Sequence, residues 1–205
     1  MGYKRRKRNI IQSSHLKIHI ACEGPSEESI LKDVLKDYKY ITVKSIDGGG
    51  YGKFTNYVER NKDLYPIFFI VADLDKAQND ESARRLLNEM IKKVNILSNM
   101  NTIFLTGPEI EYWVACCIGR PNLTSDDLSA MDYKKGNKVA DFINKNHGSY
   151  WLGCQSITNN RLYYNKMSHK DKYSIAPENL QNKQSNLVNL LPYIQKMQQD
   201  KLNLI

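Results

Sequence analysis

No apolar run in this chain of 205 residues approaches the roughly 18 residues that a membrane-crossing helix requires. Cysteine is scarce, limited to Cys22, Cys116, Cys117 and Cys154, and none of these forms a CxxC pair. Zinc-site spacing is therefore missing, and buried free thiols in a reducing compartment are expected. There is no GxSxG nucleophile elbow and no Walker GxxxxGK(S/T) loop, which removes the usual serine-hydrolase and P-loop readings. The glycine-rich stretch DGGGYG, residues 47–52, lacks the GxGxxG order and so is a weak nucleotide signal. Internal repeats and long low-complexity linkers are also missing. The start MGYKRRKRNIIQSSH is basic but has no long apolar segment behind it, so no secretory signal is expected. A soluble, cytoplasmic protein with no membrane partner is the resulting expectation.

What the chain does carry is positive charge. Thirty Lys and Arg against 22 Asp and Glu give a formal charge of +8, which favours polyanionic partners and nucleic acid above all. Five consecutive basic residues, Lys4 to Arg8, supply much of that excess. They read equally as a solvated arm or as a source of non-specific phosphate contacts. Hydrophobic residues make up 41% of the chain, enough for a real core in a single domain or a domain with an appended subdomain.

From residue 16 the pattern alternates strand and helix. LKIHIAC predicts a strand, and PSEESILKDVLKDY a helix with Ile30, Leu31, Val34 and Leu35 on one face. Pro25 suits the helix start, and Glu27 and Glu28 in the first turn complement the helix dipole. ITVKSI is a β-branched strand, FTNYVERNK a helix, and PIFFIVAD a continuous apolar strand buried on both faces. SARRLLNEMIKKVN is amphipathic and NTIFLT is a fourth strand. This order predicts an α/β fold with a mostly parallel four-stranded sheet flanked by helices. The expected division is a basic arm over 1–15, an α/β domain over 16–118 and a helical C-terminal extension over 119–205. No strand is expected in that extension.

Acidic residues collect where the predicted strands end, which is where open α/β sheets bind ligands. Glu23 follows the first strand. Asp73 and Asp75 close the third, and period-two spacing would turn both to one side of an extended segment, able to share a cation. GPEIEYW, from Gly107, follows the fourth strand and offers Glu109 and Glu111, between which spacing does not choose. Each acid alone also reads as an ordinary loop or turn residue. As a set they suit Mg²⁺, which takes hard oxygen ligands and few protein carboxylates.

EGPSEE followed by DLD after an apolar strand resembles the Toprim fold of topoisomerases, primases and small nucleases. GPEIEYWVACC resembles the NPxFExWLL signature of the RloB-like family, with Pro108, Ile110, Glu111 and Trp113 in register and Gly107 in place of asparagine. The motif-bearing part spans about residues 16–118. The resemblance implies a metal-dependent nuclease of prokaryotic anti-phage defence, often paired with an ABC-type ATPase. It implies catalytic roles for Glu23, Asp73, Asp75 and Glu111, with Glu23 near or on the metal and Asp73 and Asp75 ligating Mg²⁺ or Mn²⁺. Leu74 stands where the family's DRD motif has a basic residue, which puts a phosphate contact from that position in doubt.

For the substrate, Lys76 adjoins the acids. RLYYNKMSHKDKY interleaves Arg161, Lys166, Lys170 and Lys172 with tyrosines, a pattern suited to single-stranded nucleic acid, RNA before DNA, or to a surface loop. Lys44, Lys53, Arg84 and Arg85 are further cations, each readable as solvated surface. His147 and His169 are general-acid candidates without partner spacing. Two other readings stay open: a binding subunit with a vestigial acidic pocket, and a phosphoryl or nucleotidyl transferase using the same metal. A homodimer also stays open.

Overall fold

The structure, a computed structural model, describes residues 17–65, 67–97, 101–134, 138–149, 184–185, 187, 190–191 and 194–195. Its strands are β1 (Ile18–Cys22), β2 (Ile41–Ser45), β3 (Ile67–Asp73), β4 (Asn101–Gly107) and β5 (Gln184–Ser185). Its helices are α1 (Pro25–Val34), α2 (Tyr51–Asn61), α3 (Asp75–Asn79), α4 (Glu81–Leu97), α5 (Ile110–Cys117), α6 (Ser125–Ala130) and α7 (Val139–Lys145). The sheet runs in the order β2-β1-β3-β4-β5. The first four strands are parallel, as the alternating pattern predicts.

Two elements depart from expectation. β5 adds a fifth strand, antiparallel to β4, within the stretch expected to be helical. Two polar residues carry no period-two signal, so this strand is created by the open edge of β4 rather than by side-chain pattern. The single turn α3 begins at Asp75, where an extended segment was expected.

Strand alternation explains the layers. Ile18, Ile20, Cys22, Phe69 and Val71 face α1, α5, α6 and α7. Ala21, Phe68, Ile70 and Ala72 face α2, α3 and α4. Leu187, Leu190 and Ile194 join the first layer, so residues beyond 118 complete one face of the sheet's own core. Among the described residues no helix is long and apolar enough to cross a membrane.

Topology places the site. From β1 the chain moves outward to β2, and from β3 it moves the other way to β4. The two connections part between β1 and β3, which is where open sheets leave a crevice at their carboxyl ends. Cys22 lies level with Val71, so Glu23 and Asp73 flank that crevice.

Candidate acidic site

Glu23 leaves β1 and is 9% exposed. Its carboxylate accepts a hydrogen bond and ion pair from the Lys76 ammonium at the start of α3. That bond, offset in part by burial and reinforced by Asp75 and Asp73, raises the Lys76 pKa. The Glu23 carbonyl accepts from the Gly48 N–H at 2.8 Å, which ties the 47–50 loop to the end of β1. In that loop Asp47, Gly48, Gly49 and Gly50 all have positive φ. At Gly49 the φ of +96° is the constraint that favours glycine; a Cβ there would also displace the flexible Lys53 side chain. Lys53 itself donates to the Ile46 and Asp47 carbonyls, so it clamps the loop.

Asp73 is the last residue of β3 and is 8% exposed. Its pKa is pushed up to about 9, first by burial, then by the Glu27 carboxylate and a hydrogen bond that protonated Asp73 donates to it, then by Glu111 and Asp75. Its Oδ1 is buried and has no hydrogen-bond partner among the described residues. The Tyr51 hydroxyl donates to the Asp73 carbonyl at 2.8 Å and fixes the backbone beneath the carboxyl group. Burial raises the Tyr51 pKa, and Asp75, Glu23 and Asp73 reinforce the rise. The influence of these acids on Asp73, Tyr51 and Lys76 puts them in one neighbourhood.

Asp75 does not share the orientation of Asp73. The chain turns at buried Leu74 (φ −99°, ψ −3°), and Asp75 opens α3 exposed to solvent. Its Oδ1 accepts from the Lys76 N–H at 2.6 Å. The period-two argument fails here because Leu74 packs into the core and forces the turn one residue earlier than an extended DLD requires.

Glu27, placed to complement the dipole in the first turn of α1, also stands against Asp73. Gly24 makes room for it: a Cβ there would stand 2.9 Å from Glu27 Oε2. The signal was the four-residue spacing from Glu23, across a turn that folds the helix start back over the strand end. Glu28 behaves differently, accepting from the Ser45 N–H and from Lys32, both at 2.6 Å. Burial would raise its pKa, but those bonds leave it lowered, so Glu28 fastens α1 to β2.

Glu109 and Glu111 stand in different surroundings. Glu111, 2% exposed in the first turn of α5, acts on Asp73, whereas Glu109 precedes α5 and accepts a hydrogen bond from Ser125 on α6. Trp113 is core, 1% exposed. Exposed His147 lies in the turn after α7. Arg161, Lys166, His169, Lys170 and Lys172, along with Cys154, fall outside the described residues. Cys22, Cys116 and Cys117 are buried and form no disulfide among the described residues.

Among the described residues no three His, Cys, Asp or Glu side chains stand in metal-holding geometry. The acids therefore form a neighbourhood and not a finished cage. The donor chemistry still suits a hard divalent cation: the donors are carboxylate oxygens, and one buried oxygen of Asp73 lacks a partner. Comparison with protein-family models, with curated proteins and with solved structures finds no match. The RloB-like resemblance thus rests on the sequence motifs.

Proposed function

We propose that the acidic crevice is the active site of a Toprim-type nuclease that cleaves phosphodiesters of RNA or DNA with Mg²⁺ or Mn²⁺. The observation that carries this reading is Asp73, buried among Glu27, Glu111 and Asp75 with an oxygen unpartnered. A carboxyl group so placed weakens the fold unless a proton or another cation neutralises it. Glu23, Glu27, Asp73 and Glu111 would hold the cation, with Asp75 beside them adding negative charge. When bound, the metal supplies polarisation of the phosphodiester and of an attacking water or hydroxyl.

The chain's own residues do the rest. Tyr51 and Leu74 hold the end of β3, which fixes the backbone from which the Asp73 carboxyl group projects. Lys76 lies at the crevice mouth, where its ammonium can shift from Glu23 to a substrate phosphate. Glu23, once released from Lys76, is positioned to take or give a proton. The proposed context is an anti-phage effector working with an ABC-type ATPase.

In Mg²⁺ or Mn²⁺ the purified protein should shorten nucleic acid chains, and Glu23→Ala or Asp73→Ala should remove the activity by at least about 100-fold. Activity surviving both substitutions would overturn the site. One observation favours a second reading, a binding subunit with a vestigial pocket: Lys76 already supplies the cation to Glu23. Under that reading, calorimetric titration with Mn²⁺ gives no uptake dependent on these carboxylates. Transfer of a group without chain shortening would instead indicate the transferase reading.

A further inference from the structure

β2 is the outer strand of the sheet, and between it and α1 runs a groove of about 440 Å³. Lys32, Lys36, Lys39 and Lys44 line it and all four are exposed. The one acid in the lining, Glu28, is engaged by Lys32 and by the Ser45 N–H. The groove therefore carries a net charge of about +3 from four lysines and one glutamate. Along α1 outside the lining, Asp33 accepts from the Ala140 N–H at 2.7 Å, which commits it to α7. Tyr38 adds a half-buried ring, set edge-on to Tyr40 with centroids 6.0 Å apart.

The lysines come from different elements: Lys32 from α1, Lys36 and Lys39 from the connection, and Lys44 from β2. No sequence run announces them. Lys44 is level with Ala21, so one end of the groove lies at the same carboxyl edge of the sheet from which Glu23 emerges. Single lysines on an edge strand or a helix C-terminus have ordinary structural uses. Four around one groove outnumber Glu28, the one acid of its lining and already occupied, and exposed Asp37 beside it, which leaves charge complementarity to a polyanion.

We propose that this groove binds the phosphodiester backbone of a single-stranded nucleic acid and leads it to the acidic crevice. The lysines contact successive phosphates, and the Tyr38 ring offers a stacking face to a base. This deepens the proposed function and rests on its nucleic-acid substrate.

The test is binding of a labelled single-stranded RNA of about 20 nucleotides by anisotropy, in EDTA and across a salt series. The full chain is compared with a Lys36→Ala, Lys39→Ala, Lys44→Ala triple variant. Affinity should fall at least tenfold, and the slope of log K against log salt should lose about 2, at about 0.7 per contact on a single strand. The matching triple Lys→Arg variant should bind as the parent does. A Lys92→Ala, Lys93→Ala variant, altered at exposed positions of α4 on the other face, should leave binding unchanged. Parent-like affinity and slope in the triple alanine variant overturn the proposal, as does a parent that binds no RNA in EDTA. If the triple alanine variant instead self-associates by light scattering while still binding RNA, the lysines guard the sheet edge and the proposal fails. The cleavage assay in Mn²⁺ is separate. Loss of groove binding in a protein that never cleaves supports the groove and sinks the nuclease reading, whereas cleavage with unchanged groove binding does the reverse.

Discussion

Two polar residues are buried in neighbouring strands of this sheet, and their surroundings could hardly differ more. His19 in β1 is 1% exposed and sits among rings: Tyr65 stacks on it at 4.2 Å, Tyr57 at 5.7 Å, and Phe68 meets it edge-on. Its Nε2 shares a 2.8 Å hydrogen bond with the Tyr57 hydroxyl. Burial pushes its pKa down to about 4, so it is neutral at pH 7, as a packed core histidine should be. Asp73 in β3 is buried nearly as well, but against other acids, and burial first and those acids second hold its proton on. Each leaves one buried polar atom, His19 Nδ1 and Asp73 Oδ1, without a hydrogen-bond partner among the described residues; what differs is that His19 lies among rings and Asp73 among carboxylates. Burial of a polar group does not by itself mark a site; burial against like charge does.

The largest effect should come from removing that like-charge strain. A group whose folded pKa is raised contributes stability at low pH and loses it as pH rises toward the folded value. In EDTA the Asp73 contribution is therefore lost progressively between about pH 4 and about pH 9. Asp73→Asn should stabilise the metal-free protein near pH 9 by roughly 3 kcal/mol, the scale of an uncompensated buried charge, while ending cleavage. Thermal melts across pH measure this. Mn²⁺ should raise the melting temperature of the parent more at pH 8.5 than at pH 6, because it competes with the Asp73 proton, and should do little for the variant. A variant that melts lower than the parent at every pH would show that Asp73 is structural, like His19.

His19 should give the opposite result. Its depressed pKa means that the unfolded chain binds more protons between about pH 4 and pH 6.5, so stability falls as pH drops through that window. His19→Ala should cost about 2 kcal/mol at pH 7 by leaving the Tyr57 hydroxyl without its partner and the rings without a neighbour. It should also flatten the acid side of the melting curve and leave kcat for cleavage unchanged. A loss of kcat beyond that expected from the folded fraction would erase the contrast.

Much of this contrast was readable before the fold was known, and the unreadable part has a physical cause. PIFFIVAD declared a strand buried on both faces, and Asp73 at its end needed only the chain order to be placed. Register with a sequence signature singled out Glu111. Glu27 was hidden because an acid in a first helical turn is expected there for its dipole, and only folding decides what else it faces. Asp75 was misjudged because a five-residue helix has no periodicity to detect, and packing of Leu74 decides where it starts. The lysine groove was invisible because its members come from three successive segments, and the loop after α1 brings them together.

The smallest effect is the most specific. The Tyr51 hydroxyl donates a hydrogen bond to the Asp73 carbonyl and also bonds the Ala77 backbone. Tyr51→Phe keeps the ring, which is 2% exposed and packed with Phe54 and Leu74, so the core survives. The lost hydrogen bonding should cost about 1 kcal/mol, or some 2–4 °C in a chain of this length. If Asp73 must be held still to bind a cation, Mn²⁺ affinity by calorimetry should fall beyond what the folded fraction explains, and replacing His19, which supports no carboxylate, should cause no such drop. Equal metal affinity in parent and Tyr51→Phe would mean that β3 alone fixes Asp73, and that the tyrosine belongs with His19 on the structural side of the comparison.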